Sequence, residues 1–342
     1  MTARTGSLRR YLAVRLALVV PNVLVLLTLV FLLLRVAPGD PVSAALGGRL
    51  PPEELARRRA AGGYDDPILV QYWNYLSHVV RGDLGTAVSD NRPVSDILAV
   101  NGAATLTLAV AALIVALTIG IPLGLIAARY RNTWLDVVIR VFGVLTYAAP
   151  VFFVGIIAII VFTGALGLLP PGQQASPIAQ ATVPSVTNIF LLDAALAGNW
   201  DAFNDGLLHL VMPAVTLGLL LTGVFIRLIR VNVAQTLRDD YVEAARARGI
   251  AERRVVLHHA FRNALAPFVT VLGIQMAMLL GGAILTETTF SWPGIGSQLV
   301  QYINARDYIA VQGIMTIFAL VVVAISVLID VVNALIDPRV RY

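Results

Sequence analysis

The chain has 342 residues, 58% of them hydrophobic and only 13% charged, with a net charge of +5 and a mean hydropathy of +0.81. Soluble domains carry about 25% charged residues, so a single water-soluble core is excluded and the composition reads as an all-α, multi-span integral membrane protein. The basic excess sits in short segments between apolar stretches, where it orients helices across a bilayer, so no nucleic-acid partner is expected.

A spanning helix needs about 20 apolar residues, and six charge-free stretches meet that length. The first, Leu16 to Leu34, lies within Tyr11 to Val36 and is not followed by a small-residue cleavage site, so it reads as a retained helix. Residues 1–36 thus form a tail and first transmembrane helix, 37–100 an extracytoplasmic loop with short amphipathic helices, and 101–342 a core of five transmembrane helices. Within the loop, Pro52-Glu53-Glu54 through Arg59 predicts a short helix with acids first and bases last. Asp66 as cap and Pro67 at the first position predict a second one, with Leu69, Tyr72, Trp73, Leu76 and Val80 on one face and Gly82 as its end. That helix reads either as a lateral element on the membrane surface or a partner, or as an ordinary covering helix.

The remaining spans are Gly102 to Ala128, Val141 to Leu169, Leu207 to Ile226, Ala264 to Thr286 and Ile309 to Ile329. Arginines sort their ends. Arg4, Arg9, Arg10, Arg129, Arg131, the six between Arg238 and Arg262, Arg339 and Arg341 belong inside, which puts both termini in the cytoplasm. The connection carrying Asp193, Asp201 and Asp205 faces out, as does the one with Arg306 against Glu287 and Asp307. Arg57, Arg58 and Arg59 do not alter this, because loops as long as 37–100 translocate largely regardless of charge.

Between the fourth and fifth spans, residues 239–267 predict a polar helical hairpin. Asp240 and Glu243 have the spacing of a capping box, Arg246 and Arg248 fall in the last turn, and Gly249 stops the helix. A second helix is expected from Ala251, with Val255, Val256, Leu257 and Phe261 on its apolar face and Arg253, Arg254, His258, His259 and Arg262 on the other, before Pro267 opens the next span. The plainer alternative is a solvated loop whose arginines only set topology.

Polar residues near the spans are few. Gln275, Thr286, Glu287 and Gln312 are candidates for lining a pathway, or else polar glue between helices. Gly281 to Gly296 contains Phe290, Trp292, Pro293 and Gly294, which predict a re-entrant turn or mouth of the pathway, or an aromatic anchor at the outer interface. The chain has no cysteine, and its four histidines are isolated or adjacent, so no metal site is expected. All 25 basic residues are arginine, so a Walker A lysine is absent and ATP hydrolysis would fall to a different chain. No paired-carboxylate or nucleophile–base constellation marks an enzyme.

Four motifs together resemble the inner-membrane permeases of binding-protein-dependent ABC importers, in the peptide/nickel branch. They are Gly39-Asp40-Pro41; Asp66-Pro67 with Val70-Gln71-Tyr72 and Arg81-Gly82-Asp83-Leu84-Gly85; Glu243-Ala244-Ala245 with Gly249 and Arg262-Asn263-Ala264; and Glu287 to Gly296. In the general signature an Ile stands where this chain has His259 and a proline comes earlier than Pro267, and the longer hairpin is similar to the peptide/nickel branch. The resemblance implies a permease of the bacterial cytoplasmic (inner) membrane that forms half of a pathway for di- or oligopeptides. Its implied partners are a homologous second permease, two ABC ATPase subunits or domains carrying ATP and Mg, and an extracytoplasmic peptide-binding protein; no cofactor is implied on this chain. Glu243, Ala244, Ala245, Arg246, Arg248, Gly249 and Arg253 would then contact the ATPases. A nickel or other small-solute permease of the same family is the alternative, and a stand-alone channel or carrier, or a membrane receptor or scaffold, are readings from other classes.

Overall fold

A computed structural model describes residues 8–36, 51–61, 63 and 65–336. Gly39-Asp40-Pro41, Asp337, Arg4, Arg339 and Arg341 lie outside the described residues. Those described are helical apart from turns and one isolated bridge between Thr86 and Pro93. In chain order the helices are α1 (Leu8–Val36), α2 (Pro52–Ala61), α3 (Ile68–Val80), α4 (Val94–Arg129), α5 (Trp134–Ala148), α6 (Val151–Ala158), α7 (Pro177–Thr182), α8 (Phe190–Leu196), α9 (Trp200–Thr236), α10 (Asp240–Ala247), α11 (Glu252–Arg254), α12 (Phe261–Thr289), α13 (Ile295–Asn304) and α14 (Tyr308–Ile336). Wider π turns follow α6 over Ile159–Ala165 and α11 over Val255–Ala260.

Four helices, in α1, α4, α9 and α14, are long and apolar enough to cross a membrane. The number rises to six if each of two bent pairs is one span. One pair, Trp134–Ala148 with Val151–Ala165, turns by 100°, where the sequence predicts a single span from Val141 to Leu169. Pro150 explains the break: its ring disfavours helical geometry at the preceding residue, and Ala149 is extended with ψ 131°. The other pair, Pro267–Leu279 with Gly281–Thr289, bends by 46° next to the Gly281-Gly282 pair. The π turn after α11 leads directly into α12, so Pro267 lies inside that helix rather than opening it.

Helix α9 is the centre of the fold. Its 37 residues cover about 55 Å, well beyond a hydrocarbon core of about 30 Å, so it overruns the apolar stretch Leu207 to Ile226 at both ends. Along α4, every fourth residue from Ala104 through Leu108, Ala112, Ala116, Gly120, Gly124 and Ala128 is buried. This small-residue stripe brings the two backbones close in parallel order, with Gly120 against Phe225 and Gly124 against Ile229. The ring of Phe225 meets Phe268 of α12 edge-on at 5.2 Å. On its other side α9 meets α5, where Gly143 faces Gly223 so closely that a Cβ on Gly223 would collide with the Gly143 carbonyl. Seven residues back along α5 and seven forward along α9, Arg230 makes a two-bond ion pair of 2.6 and 2.8 Å to the fully buried Asp136. The terminal helices α1 and α14 pack together, and Arg15 pairs with Asp330, Nη2 to Oδ1 at 2.6 Å.

The loop helices depart from expectation in detail. α3 begins at Ile68 with Pro67 as its cap residue, one position later than predicted, and Asp66 offers its backbone carbonyl to Gln71 Nε2 at 2.7 Å. Gly82 does end it, at φ 75°. The predicted apolar face divides: Tyr72 turns inward against Phe31, where Tyr75 from outside that face joins it, while Leu69, Trp73 and Val80 are exposed.

Candidate functional site

The hairpin is a local structure with its own small core. After α9 a turn through Arg238 and Asp239 starts α10, whose Val242 and Ala245 bury against Val255, with Leu237 and Ile250 packed beside them. Asp239, not Asp240, occupies the cap position and makes no side-chain cap bond. The first-turn acids Asp240 and Glu243 therefore act by charge at the positive helix end rather than as a capping box. At the other end, Gly249 adopts φ 73°, and its N–H donates to the Arg246 carbonyl at 2.9 Å while Ile250 N–H reaches the Ala245 carbonyl at 3.3 Å. That paired pattern satisfies two end carbonyls and needs a left-handed residue, which glycine supplies without strain.

Arg246 does not face outward as a free contact group. Its guanidinium binds both carboxylate oxygens of Glu252 at 3.0 and 2.8 Å and the Leu237 carbonyl at 3.2 Å, closing the hairpin across Gly249. The bond to Arg246 holds the Glu252 carboxyl below its ordinary range, and the same bond raises the Arg246 guanidinium. Ala245 is buried in the hairpin core, whereas Glu243, Ala244, Arg248, Gly249 and Arg253 are exposed. Leu257 is also exposed, because the π turn rotates it off the face that buries Val255 and Val256. One side of the hairpin is thus packed and stapled, and the other leaves Glu243, Arg248 and Arg253 exposed.

At the far end of α12 the chain forms a buried junction. The side chain of Glu287 is fully enclosed; Thr105 Oγ1 donates to its Oε1 at 2.6 Å and the Ser297 N–H to its Oε2 at 2.9 Å, with a further bond from the Gly296 N–H. Thr105 Oγ1 in turn accepts from the Ile295 N–H at 2.8 Å. Three free N–H groups at the start of α13 are therefore met by α4 and α12, and Glu287 works as a remote helix cap. Trp292 Nε1 donates to the Ala104 carbonyl at 2.9 Å, and Asn101 Nδ2 to the Pro293 carbonyl at 2.8 Å.

These contacts revise the pathway expectations. Phe290 and Trp292 are each only 1% exposed, so they are core side chains of this junction rather than an aromatic belt at the interface. Pro293 and Gly294 form the turn before α13, over which Glu287 closes. Thr286 is buried and returns its hydroxyl to the Gly282 carbonyl at 3.2 Å. Gln275 is half-buried in α12, and Gln312 lines a separate cavity of about 480 Å³ with Arg35, Gln71 and His78. The four pathway candidates are not gathered on one surface of this chain.

Several polar anchors escaped the sequence reading. Asp136 gives no local signal for its partner Arg230, 94 positions away. Asp193, read as an orientation marker, accepts from Thr187 N–H at 2.8 Å, Thr187 Oγ1 at 2.7 Å and Val186 N–H at 3.2 Å. Burial pushes its carboxyl up, but these bonds outweigh it and hold the group below its ordinary range. Asp307 likewise accepts from both the N–H and Oγ of Ser89 at 2.8 and 2.9 Å, fixing the loop before α4. Among the described residues no group of three or more His, Asp or Glu side chains is placed to hold a metal.

A multi-helix membrane protein with an exposed polar hairpin between α9 and α12 is the class this architecture defines. Residues 120–342 match the family described as the binding-protein-dependent transport system inner membrane component, and residues 8–108 match its N-terminal companion. The chain belongs to that family. It is 39% identical over 325 residues to the probable D,D-dipeptide transport system permease protein DdpB of Escherichia coli K12, covering 95% of this chain and 94% of that protein. The dipeptide transport system permease protein DppB of Alkalihalophilus pseudofirmus is 33% identical, covering 96% and 98%. The glutathione transport system permease protein GsiC of Salmonella typhi is 35% identical, covering 97% and 99%.

Proposed function

We propose that this chain is the non-catalytic permease subunit of an ATP-driven importer, forming half of a pathway for dipeptides or other short peptides. Full-length similarity to dipeptide and glutathione permeases supports a peptide cargo. A homologous second permease would supply the other half, and an extracytoplasmic peptide-binding protein would deliver cargo. Two cytoplasmic ABC ATPase subunits or domains would hydrolyse ATP with Mg. Both termini and the hairpin would lie in the cytoplasm of a bacterial cell, below its inner membrane.

The hairpin carries this reading. It joins α9 to α12 with only short turns, so a push on it is delivered to two membrane helices at once. Its packed side, stapled by Arg246 and Glu252, makes it stiff enough to transmit force. Its exposed Glu243, Ala244, Arg248 and Arg253 would seat in a groove on the ATPase, with Gly249 setting the bend. Vesicles containing the assembled importer, receptor and ATP should accumulate labelled dipeptide. Gly249→Pro cannot adopt the positive φ of the bend, and Glu243→Arg reverses charge on the exposed side, so each should abolish uptake while leaving membrane insertion intact. Unchanged ATP-dependent uptake in both variants overturns the coupling assignment.

A further inference from the structure

Helix α3 combines features that neither an aqueous loop helix nor a buried one would have. It contains no Asp, Glu or Arg, whereas its neighbour α2 carries Glu53, Glu54 and three arginines in ten residues. At roughly 100° per residue, Leu69, Trp73 and Val80 fall within about 40° of one another on its circumference. They are 77%, 71% and 87% exposed, and they stand beside the tyrosine face that packs on the protein. On the opposite flank Gln71, Asn74 and His78 face the polar cavity next to Arg35, Asp66 and Asp83. The helix therefore has an apolar side, a protein side and a wet side.

Two hydrogen bonds measure how deep it lies. The Tyr72 hydroxyl shares a bond of 2.6 Å with Thr28 Oγ1, seven residues inside Arg35, the end of the apolar window of α1. At the helical rise this is about 10 Å in from that end. The Tyr75 hydroxyl shares a bond of 2.7 Å with Thr316 Oγ1, eight residues inside Tyr308 of α14, or about 12 Å. Both tyrosine tips thus sit a similar distance inside the ends of two independent spanning helices. Phe31, packed against both rings at 5.2 and 5.7 Å, holds α3 at the level where the exposed Leu29, Leu32 and Leu33 of α1 already need lipid.

We propose that α3 is an in-plane helix seated in the outer leaflet, with Leu69, Trp73 and Val80 immersed among acyl chains at the headgroup boundary and the Gln71–Asn74–His78 flank facing water. An interfacial amphipathic helix takes this posture, with its apolar side about 5–10 Å below the headgroups and a Trp at the boundary. Its occupant is lipid, because a receptor or second permease would have to cover an uncharged stripe at a depth that bilayer already fills.

The chain lacks cysteine, so each introduced thiol is unique in this subunit. Leu69→Cys, Trp73→Cys, Val80→Cys and, as the wet reference, Asn74→Cys would carry nitroxide labels. The full chain would be assembled with its partner subunits in phosphatidylethanolamine/phosphatidylglycerol nanodiscs, with the cysteine-free chain as background. The ratio of oxygen to nickel-chelate collisions should be roughly fivefold or more higher at the three stripe positions than at Asn74→Cys. A smaller ratio, with the chelate reaching the stripe labels, places them in water and overturns the proposal. Labels shielded from both reagents overturn it in favour of a protein partner on that face.

Discussion

The junction around Glu287 and the hairpin around Gly249 both carry charge at the end of long helices, and they use it in opposite ways. At the junction every bond points inward: one carboxylate serves Thr105, Gly296 and Ser297, with Trp292 locked alongside. At the hairpin a single ion pair closes the inside, and the remaining charges, Glu243, Arg248 and Arg253, face outward. An acid beside a spanning helix therefore does not by itself mark a route for solute. What separates the cases is whether the carboxylate's lone pairs are already taken.

That contrast can be broken most severely at Glu287. Glu287→Ala would strand a buried hydroxyl and two backbone N–H groups, and should cost about 3 kcal/mol or more, read as a lowered Tm of the assembled complex. Glu287→Gln keeps one acceptor oxygen and should lose less. Uptake abolished with Tm unchanged in both would return Glu287 to the translocation route. Next in size is Asp136→Ala, which leaves Arg230 only 17% exposed without its counter-ion and should cost about 3 kcal/mol. Arg230→Met in the same chain should restore most of that loss; a double variant less stable than Asp136→Ala would show that the arginine has another role.

Smaller effects belong to the hairpin. Gly249→Ala meets no neighbouring atom but keeps the positive φ, so about 1 kcal/mol of local stability should be lost, measured as faster amide exchange at Ile250. The Arg246–Glu252 pair is about 40% exposed on each side, so it should contribute no more than about 0.5 kcal/mol. Because the folded-state value of Glu252 is depressed, this contribution is present above the usual value of 4.5 and fades as pH falls through the lower, folded value. The protection factor of the Ile250 amide, corrected for the intrinsic pH dependence of exchange, should fall on acidification through that window, and Glu252→Gln should remove the added pH dependence.

The hairpin was legible because its signals are local: a glycine after two arginines, acids in the first turn, apolar residues at helical spacing. Its exact cap was not, since Asp239 and Asp240 are chemically equivalent in sequence and only backbone geometry separates them. The burial of the junction was not legible for a different reason. Phe290 and Trp292 have the composition of an interfacial belt, and their burial depends on α4 arriving from nearly 190 positions away. The predicted face of α3 combined Tyr72 with Trp73, although adjacent residues lie about 100° apart and here meet protein and open surface respectively. One long-range feature did leave a trace: the small residues at every fourth position of α4 announce its seam with α9.

The contact between α5 and α9 has a mechanical consequence. Two pins, the glycine touch at Gly143 and Gly223 and the ion pair two turns along, lie on one seam about 10 Å apart. A single pin would let one rod pivot on the other; two remove both pivoting and axial slip. A torque applied at Thr236 would therefore be shared by a braced pair of rods, and whatever tilts must tilt as a unit.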